Sequence, residues 1–241
     1  MKPNTFQFSV ISLLFAALSG CGGGGGGGTS TPSGPITSTL SFPLQSAYKT
    51  LVANGLSKGF TISGTCSGTG NRAQAPATTA ATFEGVAGFS ATSSITFSFT
   101  NCTPASIAQS STAYWDSNYV PHGFNTGAST ASANYGVYLT PPSVPMSVTV
   151  GGTGIIGTQT LYTDSTKATG YGTQALSYIV EADTSTTAIV NLIANAYNTG
   201  NTLLWTEQDR WRITSTGVLT PISADIQYAN GSTTHLILTY N

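Results

Sequence analysis

Residues 188–214 read AIVNLIANAY-NTGN-TLLWTEQDRWRIT. Two runs rich in β-formers, Ala188–Tyr197 and Thr202–Thr214, stand either side of Asn198-Thr199-Gly200-Asn201. A short Asn/Gly segment between two such runs is a hairpin signal. On an extended strand, side chains point alternately to opposite faces. Glu207, Asp209 and Trp211 therefore share one face, and Gln208, Arg210 and Arg212 the other.

The same pattern continues on both sides. Val218–Tyr228 and Thr233–Tyr240 flank Asn230-Gly231, the strongest short hairpin signal. Upstream, Thr158–Asp164 and Gln174–Asp183 flank a turn region at Ser165–Gly172. Val144, Met146, Val148 and Val150 alternate until Gly151-Gly152. Earlier still, Phe60 and Ile62 lead to Cys66, and Ile95, Phe97 and Phe99 lead to Cys102. Thr82–Phe89 reads as one further strand, and Asn71–Ala81 as a long loop. One segment has helical period: Leu44, Tyr48, Leu51 and Val52 fall on one face of Pro43–Gly55. Ser41 is placed to cap its start and Gly55 its end. The expected fold is mostly β, an antiparallel hairpin meander forming a sandwich or a strongly curved sheet or barrel, with one short N-terminal helix. No internal repeat or linker interrupts 36–241, which reads as a single domain.

Charged residues are 6% of the chain and the formal net charge is −1. Seven Lys/Arg, scattered singly, cannot neutralise a run of phosphates, which excludes a basic-patch nucleic-acid binder. Ser, Thr and Gly together make about 40% of the residues. That is the texture of a polar, strand-rich extracytoplasmic protein.

The N-terminus reads as an address. Lys2 supplies a positive start, Val10–Leu18 an apolar stretch, and Ser19-Gly20 small residues before Cys21. Leu18-Ser19-Gly20-Cys21 resembles the lipobox of bacterial lipoproteins. That resemblance implies removal of 1–20, a diacylglyceryl group on the Cys21 thiol, acylation of the new amino terminus, and a membrane anchor. Gly22 after the cysteine, by resemblance to the sorting rule of enteric bacteria, implies the outer membrane. Poly-Gly after the lipobox also resembles uncharacterised Gram-negative lipoproteins, a type that implies no activity. Residues 21–35, the cysteine and a Gly-rich run, form a flexible tether with a reach on the order of 20 Å. With Cys21 lipidated, Cys66 and Cys102 remain as a pair. In an oxidising compartment they are expected to form a disulfide.

Candidate chemistry is sparse. The stretch from Cys102 to Pro142 lacks a clean period and carries Tyr114, Trp115, Tyr119 and Phe124. These aromatics are either an exposed platform for sugar or lipid, or a secondary core under their own loop. Glu207, Asp209, Arg210 and Arg212, between Trp205 and Trp211, are either a polar binding surface or a solvent face stitched by cross-strand ion pairs. Glu181 and Asp183 share a strand face. His122 and His235 stand alone, and no nucleophile elbow, zinc-binding helix or calcium loop occurs. No catalytic residue, metal site or cofactor is assigned. The expected function is a non-enzymatic binding or structural component of the envelope, anchored in the membrane by lipid. The expected partner is a lipid, a glycan or an envelope protein. A periplasmic lipid or glycan carrier and an envelope hydrolase are the alternatives.

Overall fold

A computed structural model describes residues 37–127, 133–229 and 234–241. Helix α1 (Leu44–Asn54) comes first. Thirteen strands follow: β1 (Leu56–Gly64), β2 (Gly68–Gln74), β3 (Thr79–Phe83), β4 (Val86–Phe99), β5 (Ser106–Asp116), β6 (Pro121–Asn125), β7 (Tyr135–Tyr138), β8 (Thr153–Tyr162), β9 (Gly170–Ala182), β10 (Thr187–Asn198), β11 (Leu203–Thr214), β12 (Leu219–Tyr228) and β13 (His235–Tyr240). Each strand pairs antiparallel with its neighbour in sequence, except that β2 and β3 lie end to end along one edge of β4. β13 returns to pair with β1, and β2 pairs with β4, so the meander closes into a 12-strand barrel.

The expected helix forms, but its caps differ. Pro43 occupies the N-cap and no side chain caps the helix there. Gly55 ends it at φ 76°, donating its N–H to the Leu51 carbonyl. A Cβ at Gly55 would stand 2.6 Å from the Gln74 carbonyl, so any other residue would clash with β2 as well as being strained. The six strands expected from residue 158 onward all form, as β8–β13. The Asn230-Gly231 turn lies outside the described residues, as do Cys21 and the tether.

Three local expectations fail. Asn71–Ala81, expected as a loop, supplies much of β2 and the start of β3. Its Ala and Thr residues find backbone partners on β4 that no local signal announces. Thr82–Phe89, expected as one strand, bends into the β3–β4 hairpin at Glu84-Gly85, where both residues have positive φ (50° and 80°). That is the backbone a tight two-residue hairpin demands. Val144–Val150, expected as a strand, is a connection between β7 and β8. It forms an isolated bridge, Val148 to Phe42 just before α1, while Val144 and Val148 turn into the core.

Strand period sorts the residues between lumen and solvent. In-register rows such as Thr61–Thr69–Ser98–Ser106 face outward, which is where the Ser and Thr of the composition go. Their row-mates one residue along, Phe60–Gly70–Phe97–Ile107, face inward. Gly70 has no side chain because the Phe60 ring occupies that space: a Cβ there would come within 2.4 Å of it. Helix α1 closes one end of the lumen with Leu44, Ala47, Tyr48 and Val52 buried. A separate cluster of Phe60, Ile62, Phe97, Phe99, Leu236 and Leu238 fills the β1–β4 side toward the other end.

Cys66 and Cys102 are disulfide-bonded at that other end, joining the β1–β2 and β4–β5 connections across 36 residues. Closing a loop of that length restricts the unfolded chain by about 3–4 kcal/mol. Reduction, or joint replacement of both cysteines by alanine, is expected to lower stability by that amount. A chemical-denaturation midpoint unmoved by reductant would contradict it.

Candidate binding site in the barrel lumen

The expected aromatic stretch is part of the barrel wall. Residues 106–116 form β5, and alternation separates its aromatics. Trp115 points inward, 3% exposed, and its indole Nε1 donates to the Tyr48 hydroxyl of α1 at 2.7 Å. Phe124 on β6 is also interior, packed over Gly136, where a Cβ would meet its ring at 2.2 Å. Tyr114 points outward and stacks on Phe83 at 4.3 Å, under the β3–β4 hairpin. The hairpin tip is held there by Glu84, which accepts from the Tyr135 hydroxyl at 2.6 Å and pairs with Lys167 at 2.5 Å. Tyr119, in the β5–β6 turn, stacks on Phe89 and lies beneath the Lys49 ammonium. The four aromatics thus occupy three places, and Trp115 and Phe124 offer no surface platform. Alternation was the available signal, and the Gly and Pro residues around it obscured it.

The charged cluster on β11 divides by face, as its period requires. Arg210 and Arg212 face outward. Arg210 pairs with Glu181 at 2.7 Å, and Arg212 holds Asp183 through two bonds of 2.7 and 3.1 Å. These are cross-strand pairs on a solvent face, whose individual contribution to stability is small. His235 meets Asp225 at 2.9 Å, also on the outside. Among the described residues, no group of three or more His, Cys, Asp or Glu comes together as metal ligands do.

Asp209 and Glu207 face the lumen. Asp209, 0% exposed, pairs at 2.5 Å with Arg72 of β2. Three strands, β1, β13 and β12, separate β2 from β11 along the wall, so this ion pair spans the interior. Arg72 also donates to the Tyr240 hydroxyl at 3.2 Å. Burial works against the Arg72 charge, but the Tyr240 hydroxyl and the Asp209 carboxylate beside it outweigh it and hold the guanidinium firmly protonated.

Glu207 stands one row away, half-buried. Burial first, and then the Asp209 charge, push its carboxyl up to about 8, against a smaller opposing pull from Arg72. At neutral pH it is mainly a neutral acid able to donate. Burial also raises Tyr228 and Tyr240, keeping both as hydroxyl donors. The raised Glu207 has a stability consequence. Below its ordinary value near 4.5 both folded and unfolded chains are protonated, and nothing is lost. Between there and about 8 the unfolded chain has released its proton while the folded chain still holds it, so stability falls as pH rises. Melting temperature is therefore expected to decline from pH 5 to pH 9, and Glu207→Gln to flatten that decline. A parallel curve for the variant would contradict this.

Around this cluster lie buried polar groups with no protein partner. Both amide atoms of Gln174, both of Gln74, and the Trp211 indole Nε1 are unpaired. Gln174 is 0% and Trp211 1% exposed. A buried donor or acceptor left unpaired costs about 1–3 kcal/mol, so these groups stand out within an otherwise apolar interior. Gln74 sits two residues from Arg72, and Trp211 two from Asp209, each on the same inward face. The sequence reading found Glu207 and Asp209 but missed Arg72, Gln74, Gln174, Tyr228 and Tyr240. They stand on different strands, and nothing in their spacing joins them before the barrel closes.

Neither a family model, nor a curated protein, nor a solved structure matches the chain.

Proposed function

We propose that this chain is a lipid-tethered, outer-membrane envelope protein whose barrel binds a small ligand inside its lumen without transforming it. One observation carries the binding reading. A closed wall surrounds a buried ion pair, a neutral carboxylic acid and unpartnered amide and indole groups. A twelve-strand barrel is wider than the eight-strand kind whose interior side chains just fill, which leaves room for polar functions at its centre. The buried amide, acid and indole groups among its apolar residues favour a ligand with hydrogen-bonding groups over a bare acyl chain. The anchor rests on Cys21 and the lipobox, with the Gly-rich segment joining it to the barrel. The outward Ser/Thr rows suit a barrel standing in water, since a membrane barrel carries an apolar outer band.

Native mass spectrometry of the chain purified from its own envelope is expected to show a bound species lost on denaturation. Consistent absence of bound mass would end the lumen-binding reading. Separately, Cys21→Ala is expected to abolish fatty-acid labelling and release the protein from the membrane. Undiminished labelling would end the lipoprotein reading.

A hydrolase remains the second reading because of Glu207 and Asp209. Two carboxylates on one face, one neutral and one ionised, are the arrangement acid–base catalysis employs. It predicts product release from a bound substrate that stops in Glu207→Gln.

A further inference from the structure

We propose that Gln174, Ala196 and Trp205 form the seat for one ring of an uncharged saccharide, with Glu207 reaching it from the adjacent row. This inference rests on the lumen-binding reading and names the ligand class. The register places the three residues in one inward row across β9, β10 and β11. Neighbouring strands lie about 4.8 Å apart, so Gln174 and Trp205 project from backbones roughly 10 Å apart. Between them in the row stands Ala196, whose side chain is a single methyl group. The next row repeats the plan with Leu176, Ala194 and Glu207. The row therefore carries an indole at one side, an amide at the other and a small floor between.

The chemistry of the row selects the ligand. An aromatic ring offers an apolar face to the C–H face of a pyranose. The Gln174 amide, buried and unpartnered at both its oxygen and its nitrogen, offers one acceptor and two donors to ring hydroxyls. Glu207, neutral near pH 7, adds a further donor. Fixed charge is balanced nearby, because the Arg72 and Asp209 charges cancel across the lumen. Lys58 lies at the opposite end, where its ammonium reaches the Asn241 carbonyl. Nothing at the seat draws an anion, and an acyl chain would leave the amide unpaired.

Tyr228 is in register with Trp205 and lies near Tyr171 from the start of β9. These two tyrosines stand at the strand ends next to the seat. Since Gln174 is fully enclosed, a ligand reaches it when this rim parts, and association is expected to be slower than diffusion allows.

The test uses the processed full chain in detergent, with cellobiose, lactose and chitobiose as neutral probes and galacturonic acid and palmitate as contrasts. Binding is read by calorimetry and by tryptophan fluorescence. A neutral saccharide is expected to bind and to perturb the fluorescence, and Trp205→Phe to remove that perturbation. Gln174→Leu is expected to weaken binding at least tenfold while its melting temperature holds or rises, because the substitution removes an unpaired buried amide. A role in packing alone predicts unchanged binding in Gln174→Leu, which would overturn the proposal. Preference for galacturonic acid would overturn the uncharged class, and preference for palmitate the saccharide class, each leaving lumen binding standing. No binding of any probe, together with no co-purifying ligand, would overturn both.

Discussion

Replacing Asp209 by alanine is expected to destabilise the barrel by about 3–5 kcal/mol, because the Arg72 guanidinium would remain in the lumen without its counter-charge. The pair itself is a weak source of net stability. Both ions lose water on burial, and their attraction roughly repays that loss. The large effect comes from breaking it on one side. Arg72→Met combined with Asp209→Leu is therefore expected to recover most of the loss, and even to exceed the parent. Equilibrium denaturation of the two single variants and the double variant forms a cycle that measures the coupling. Additive effects in that cycle would show that the two residues do not depend on each other. Function separates from stability here. The double variant is expected to fold and to lose the ligand, since it removes the polar centre of the lumen.

Trp115→Ala is the second large effect, at about 3–5 kcal/mol. The indole is almost completely enclosed, and its Nε1–H is satisfied by the Tyr48 hydroxyl. Truncation opens a cavity at the end of β5 and removes the indole donor to the Tyr48 hydroxyl, which burial already holds protonated. Tyr48→Phe is expected to cost less, about 1–3 kcal/mol, because the ring still packs and one indole N–H is left unpaired. The comparison reads how firmly α1 closes its end of the barrel. A Trp115→Ala chain that melts with the parent would show that the helix is held by other contacts. A surface role for Trp115 would predict that same small effect together with weakened ligand capture.

Several features were legible along the chain because they depend on neighbours in sequence. Helix α1 follows from four apolar residues on one face. The hairpins from residue 158 onward follow from alternation broken by turn residues. The opposed faces of β11 follow from a period of two, which placed Glu207, Asp209 and Trp211 on one side and Arg210 and Arg212 on the other before any partner was known. The Cys66–Cys102 pair followed from the cysteine count and the expectation of an oxidising compartment. Local information failed where strands are weakly marked. β2 contains Gly68, Gly70 and Arg72, and β3 is mainly Thr and Ala, so neither shows apolar alternation. They are strands because β4 is long enough to pair with both along one edge.

Period and turn chemistry are properties of adjacent residues, so they specified the strands, the helix and the side each β11 residue faces. Whether that side was solvent or interior was not theirs to specify. An open sandwich and a closed barrel use the same hairpins, and they differ in one long-range pairing, β1 with β13, between residues at opposite ends of the domain. Closure made the inward face a lumen. It brought Arg72 from β2 to Asp209 on β11, and it turned Glu207 from a surface carboxylate into a neutral acid. The physical reason is dielectric as much as geometric. A charge is inexpensive in water and costly inside a wall of backbone and aromatic rings, so the meaning of Glu207 and Asp209 waited on which side of the sheet water would be excluded.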